Sequence, residues 1–135
     1  MSIVQSIRPQ AVLLEKDVSL AATSGTTVGI SVPAGVTVLA AGFQNYVVVP
    51  DVTTYTLDVT DGTTVFANDL NFDNTAANSN KGGVTPGFIA AADTIDVVTT
   101  ISGSPGIITG RVWALVVDCG AGTRTAATVD RDQLA

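Results

Sequence analysis

The chain has no histidine, one cysteine, one tryptophan, and six basic residues against twelve acidic ones. Each scarcity removes a class of function. A Ser-His-Asp or Cys-His nucleophile needs an imidazole base, and none exists here. Cys119 stands alone, so it makes no intramolecular disulfide. With neither histidine nor lysine beside it, it reads as a buried, inert thiol. Lys16 and Lys81 lie in charged or polar contexts that do not suit a Ser-Lys pair. There is no Gly-x-x-x-x-Gly-Lys phosphate loop and no Gly-x-Gly-x-x-Gly turn. The Gly103-Ser104-Pro105-Gly106 cluster is turn chemistry and not a nucleophile elbow. The expectation is a protein that is not an enzyme.

Positive charge is equally sparse. Arg8, Lys16, Lys81, Arg111, Arg124 and Arg131 are scattered, and the net charge is −6. Phosphate neutralisation needs clustered cations, so no nucleic-acid partner is expected. An anionic membrane surface would repel the chain. Long apolar runs are missing too. Mean hydropathy is +0.43, yet the apolar stretches at residues 36–43, 46–50, 88–92 and 112–117 fall far short of the ~20 residues of a spanning helix. The opening MSIVQSIRPQ shows no basic start followed by an apolar core. These features predict a soluble chain made in the cytoplasm and no membrane partner. Its excess apolarity is either buried between subunits or contributed by small Ala and Gly residues.

What is abundant is Val, Thr, Ala and Gly, with Asp and Asn at turns. Val and Thr suit a pleated, half-buried surface. Glu15 is the sole glutamate, and Asp favours turns where Glu favours helices. Residues 11–20 read as a strand whose Glu15-Lys16-Asp17 trio marks a bend or an edge. Residues 27–32 place Val28, Ile30 and Val32 on one face, and Pro33-Ala34-Gly35 is a tight turn. Strands are expected at 36–40, 44–49 and 54–59, the last with Tyr55, Leu57 and Val59 on one face. Asp61-Gly62 suits a two-residue hairpin connection, with a short return strand at 65–67. Residues 68–87 are polar, Asn-rich and aperiodic. They read as a long loop, either a partner-contacting element or a solvated one. In 93–101, Ile95, Val97, Thr99 and Ile101 share a face. Residues 107–119 form the strongest strand, apolar on both faces, as for a central strand or one buried against a second subunit.

The pattern, about eight strands at even spacing with turn signals between them, predicts an all-β fold: a single antiparallel β-sandwich, jelly-roll-like, with extended terminal arms. Residues 1–10 are an N-terminal arm or first strand, 11–119 the sandwich, and 120–135 a tail.

Two sets of acids were weighed for chemistry. Asp58 with Asp61, and Asp93 with Asp96, lack aromatic neighbours to bind sugar and read as solvated turn acids. Asp69-Leu70-Asn71-Phe72-Asp73 resembles the start of a calcium loop, but Asn74 and Asn80 stand where glycine and glutamate should be. Asx-turns are the favoured reading, with an irregular calcium site as the alternative. No cofactor or metal is expected. Candidate interface residues are Ile3, Val4, Ile7 and Arg8 in the arm, Arg111 and Trp113 on the last strand, and Arg124 and Arg131 in the tail. Arg111 and Trp113 can project the same way, either as an interface anchor or, the reading favoured here, as a core tryptophan with a snorkelling arginine.

Residues 29–42 (GISVPAGVTVLAAG), 56–69 (TLDVTDGTTVFAND), 87–95 (GFIAAADTI) and 110–119 (GRVWALVVDC) together resemble small virion structural proteins of tailed bacteriophages. The resemblance implies a jelly-roll-like capsid decoration, or head cement, protein on the outer surface of the capsid. Its implied partners are the major capsid protein and itself, as a homotrimer. It brings no catalytic residues, and it assigns backbone geometry to Pro33-Ala34-Gly35 and to residues 58–62. A tail, neck or fibre component and a carbohydrate-binding sandwich module are the alternatives. A fibre would show an extended stalk, and a sugar binder would show exposed aromatics on one face.

Overall fold

The computed structural model describes residues 11–118. Nine strands and no helix are found there: β1 (Ala11–Leu20), β2 (Gly25–Val32), β3 (Val36–Asn45), β4 (Thr54–Thr60), β5 (Val65–Asn71), β6 (Asn80–Gly83), β7 (Gly87–Ile89), β8 (Asp93–Ser102) and β9 (Ile108–Asp118). One sheet has the order β1-β9-β3-β6, with β7 also pairing β3, and the second has the order β2-β8-β4-β5. Every pairing is antiparallel. Strands β6 and β7 act as one interrupted strand on β3. The chain thus alternates between two sheets in the double Greek-key order of a jelly roll.

Alternation decides which side chains meet. Val112, Ala114 and Val116 of β9 turn inward against Tyr55, Leu57 and Val59 of β4 and Ile95 and Val97 of β8, and all are buried. Phe43 and Phe72 meet edge to face with centroids 5.5 Å apart, the arrangement favoured by the ring quadrupole. At ~25 cal/mol per Å2 of apolar surface, this core is the main stabilising term, and no staple is required.

Four expectations are corrected. Val28 does not face the core. The pairing shifts between Thr27 and Ile30, so Val28 and Gly29 together oppose Asp96, and this bulge turns Val28 out to 59% exposure. The run 44–49 is not a separate strand. Strand β3 continues through Asn45 and then leaves the sheet, so Tyr46, Val47 and Val48 are exposed, while Val49 is buried by a bridge to Thr75. The turn after β4 spans four residues, 61–64, and not two. Asp61 Oδ1 accepts from the amides of Thr63 and Thr64, and Gly62 sits at φ 91°.

The fourth correction concerns residues 68–87, which are not one long loop but hold strand at 68–71, at 80–83 and from 87. Strand β5 runs on to Asn71 through a second bulge, where Asp69 has φ 52° and its amide donates to Asp58 Oδ1 at 2.7 Å. Strands β6 and β7 follow. The remaining loop, 72–79, is tied to the end of β3 by the fully buried Asn45. Its Nδ2 donates to the carbonyls of Val47 and Ala76, and its Oδ1 accepts from the amide of Ser79. Main-chain pairing, the buried Phe72 ring and one buried amide hold this segment, so it carries no hydrophobic period.

Candidate interaction face

The outward side of the five-stranded sheet is built from residues that alternate with the core positions. Register sets them in four cross-strand rows. Ala11, Val117, Thr37 and Phe88 form the first, and Leu13, Leu115 and Ala40 the second. Glu15, Trp113, Gly42 and Gly82 form the third, and Asp17, Arg111, Gln44 and Asn80 the fourth. The face therefore grades from apolar at one end to charged at the other. A bulge between Val38 and Ala40 adds Leu39 at the apolar end, 37% exposed. Leu13 and Phe88 are 54% and 50% exposed. Single exposed apolar residues are ordinary, but a contiguous set is characteristic of a contact surface.

Arg111 and Trp113 both project from this face. The reading of Trp113 as a core residue is corrected: the core side of β9 belongs to Val112, Ala114 and Val116, and Trp113 lies outward and half-buried. Its indole fits there because Gly42 and Gly82 leave a trough. A Cβ on Gly42 would fall 2.5 Å from Trp113 Cζ2, and one on Gly82 would fall 2.6 Å from the same atom. The indole Nε1 donates to Asn80 Oδ1 at 2.7 Å. Nothing in the one-dimensional pattern marks this trough except two glycines in strand segments. The cation over a ring is Lys81, 5.3 Å from the Phe72 centroid, and not Arg111.

Arg111 is clamped. One terminal nitrogen pairs with Glu15 Oε2 at 2.7 Å, and the other donates to Gln44 Oε1 at 2.6 Å. The Tyr46 hydroxyl donates to Asp17 Oδ1. That bond favours the protonated phenol, so the Tyr46 pKa lies above its ordinary value, with desolvation and the Asp17 charge adding to the effect. Glu15, Lys16, Asp17, Tyr46 and Arg111 border an open depression of about 370 Å3. The cluster is a self-paired polar patch, and its groups are engaged with one another.

Other acids are occupied by backbone. Asn71 Oδ1 accepts from the Asp73 amide, and Asp73 Oδ1 accepts from the Val52 amide. Asp69 Oδ2 accepts from the Asn68 side-chain amide at 3.3 Å, so the oxygens of the calcium-like stretch serve separate protein donors. Among the described residues, no group of three or more acidic, cysteine or histidine side chains is placed to hold a metal ion. Ile3, Val4, Ile7, Arg8, Cys119, Arg124 and Arg131 lie outside the described residues. Of the candidate interface set, the structure therefore brings together Arg111 and Trp113. The pattern missed the apolar rows beside them. The one signal for those rows was the apolarity of β9 on both faces.

No family model matches the chain, and no curated protein matches it. Solved structures do. The chain is similar to a chain of the cyanophage Pam1 capsid asymmetric unit, with a TM-score of 0.59 and 13% identity, covering 84% of this chain and 88% of that one. It is also similar to a chain of the acid-stable capsid of Helicobacter pylori bacteriophage KHP30. There the TM-score is 0.57 with 13% identity, covering 83% of this chain and 94% of that one. At such identity the shared property is the fold alone, an antiparallel β-sandwich found in chains of these two phage capsid structures.

Proposed function

We propose that this protein is a non-catalytic virion component that decorates and cements the outer surface of a tailed-phage capsid, bridging neighbouring major capsid subunits as a homotrimer. The observation that carries this reading is the shared fold over most of the chain with chains of two phage capsid structures. The graded outer face supports it, because it offers apolar rows for burial beside a charged end that keeps the free protein soluble. The side-chain carboxylates seen hydrogen-bonded to main-chain amides, such as Asp58 and Asp61, build turns and bulges and are not left poised for chemistry. A small clamp repeated by shell symmetry multiplies a modest contact free energy at each joint.

The test is the protein's copy number on purified particles, measured by quantitative mass spectrometry with labelled peptides. A stoichiometry on the order of hundreds, set by the shell's symmetry, supports the cement role. A count of about six or about twelve points to the neck or tail. Absence from particles overturns the reading altogether. The mass of the free protein by light scattering tests the trimer.

A further inference from the structure

Strand β1 pairs β9 along all ten residues without a register shift, whereas β2, β3 and β5 each carry a bulge in their pairings. No other described strand pairs with β1, so among the described residues its second edge is unpaired. A long, straight open edge is a pairing template, and proteins usually blunt it with charge, proline or a bulge. Here the protection is one-sided. The second half holds Glu15, Lys16 and Asp17, while the first half is Val12, Leu13 and Leu14, with Val12 49% and Leu13 54% exposed.

We infer that this first half is a strand-pairing edge for β1 of a second copy, antiparallel, with Leu13 on the two-fold axis. Charge excludes the registers centred on residues 14–17, and of those that remain only the one centred on Leu13 sets Val12, Leu13 and Leu14 opposite one another. A two-fold axis normal to the sheet keeps outward residues opposite outward residues, so some residue of β1 must face its own copy. With Glu15, Lys16 or Asp17 on the axis, each meets the same charge, and the Lys16 register also sets Glu15 against the partner's Asp17. Like charges directly opposite are destabilising. With Leu14 on the axis, Leu13 faces the partner's Glu15 and Val12 faces the partner's Lys16. With Leu13 on the axis, Leu13 meets the partner's Leu13, Val12 meets the partner's Leu14, and Glu15 meets only the partner's Ala11. The Leu13 row of the outer face then runs on from one copy to the next, and unpaired main-chain groups are satisfied. The contact does not rest on the capsid reading, and in a trimeric protein it links neighbouring trimers.

Cysteine cross-linking tests this. In a Cys119→Ser background, Leu13→Cys puts two thiols on the axis, where directly opposed Cβ atoms are about 4.5–5.5 Å apart and close to disulfide reach. Mild oxidation is expected to give a covalent dimer from Leu13→Cys well before Ser19→Cys, an exposed position on the same face. Leu13→Lys, at an exposed position that does not test the core, is expected to weaken association about tenfold or more in sedimentation equilibrium. Cross-linking no faster at 13 than at 19, or unchanged association of Leu13→Lys, overturns the inference. Particle copy number is scored separately, so a dimer that ignores capsids leaves this contact standing while removing the capsid reading.

Discussion

The indole of Trp113 lies against the α-carbons of Gly42 and Gly82, so closely that a methyl group on either would sit inside van der Waals contact with the ring. Gly42 is the stricter site, because a Cβ there also falls 2.3 Å from the Lys81 carbonyl oxygen, which is main chain and cannot swing away. Gly42→Ala is expected to lose about 1–3 kcal/mol, the usual cost of overpacking. As the sole tryptophan, Trp113 reports its own displacement, and its emission should shift to the red as the ring moves into water. Gly25→Ala, where a Cβ meets nothing within 4 Å, should leave both readouts unchanged. An unaltered denaturation midpoint for Gly42→Ala would refute the fit.

Tyr55 is fully buried, and its hydroxyl has no hydrogen-bond partner among the described residues. Burial pushes its pKa up from 10.0 to about 12. Below pH ~10 the phenol is neutral in both folded and unfolded chains, so it imposes no pH dependence. Between pH ~10 and 12 the unfolded chain releases the proton while the folded chain keeps it, so stability falls as pH rises, by something on the order of 2 kcal/mol. Tyr55→Phe should remove this part of the alkaline decline. It should also raise stability at neutral pH by about 1–3 kcal/mol, since it deletes an unpaired buried polar atom. Urea melts of both proteins at pH 7 and pH 11 check the two effects together. Equal slopes against pH would count against the burial argument.

The sandwich was legible where alternation was uninterrupted. Ile95, Val97 and Thr99 of β8 and Tyr55, Leu57 and Val59 of β4 face inward as a period of two requires. It was illegible where a bulge changes phase. Val28 and Leu39 each stand beside a register shift: alternation puts Val28 on one face with Ile30 and Val32, and Leu39 falls in the apolar run 36–43, and the folded chain splits both groupings between faces. The second half of β5 and strands β6 and β7 were hidden for a different reason. Their hydrogen bonds are main-chain, and their anchors are single residues such as Phe72 and Asn45, whose burial is decided by distant partners. The interaction face was half legible. Two-sided apolarity of β9 announced a surface outside the core, but its neighbours Leu13, Thr37 and Phe88 come from strands far apart in sequence, so only topology assembles the rows.

Asn45 offers a direct measure of how the loop at 72–79 is held. Its side chain spends all of its visible bonding on that loop and on Val47, and its own main chain adds bonds to Ser79 and Asn78. Asn45→Ala leaves a buried cavity and strands two main-chain groups, the Val47 carbonyl and the Ser79 amide, while the Ala76 carbonyl keeps the Ser79 hydroxyl as donor. Each unsatisfied buried group costs about 1–3 kcal/mol before relaxation, so a total loss of about 2–4 kcal/mol is expected in chemical denaturation. Hydrogen exchange should localise the change, with the amide of Ser79 losing protection while that of Val97 in β8 does not. Uniform loss of protection across both sheets would show that the loop and the core open together, against this assignment.

The ion pair of Glu15 and Arg111 should contribute little to folding despite its 2.7 Å separation. The two side chains are 42% and 34% exposed, and water screens such pairs, whose coupling is ordinarily below about 1 kcal/mol. A double-mutant cycle with Glu15→Gln and Arg111→Met should therefore give a coupling in that range, smaller still in high salt. The cost of holding Arg111 in place, including a buried Nε with no partner among the described residues, has no evident return in stability. A return in recognition would account for it. Arg111→Met is accordingly expected to melt within about 1 kcal/mol of the parent while attaching more weakly to capsids in a co-sedimentation assay. Parent-like attachment would confine Arg111 to the surface of the sheet and move the search for contact residues to the apolar rows beside it.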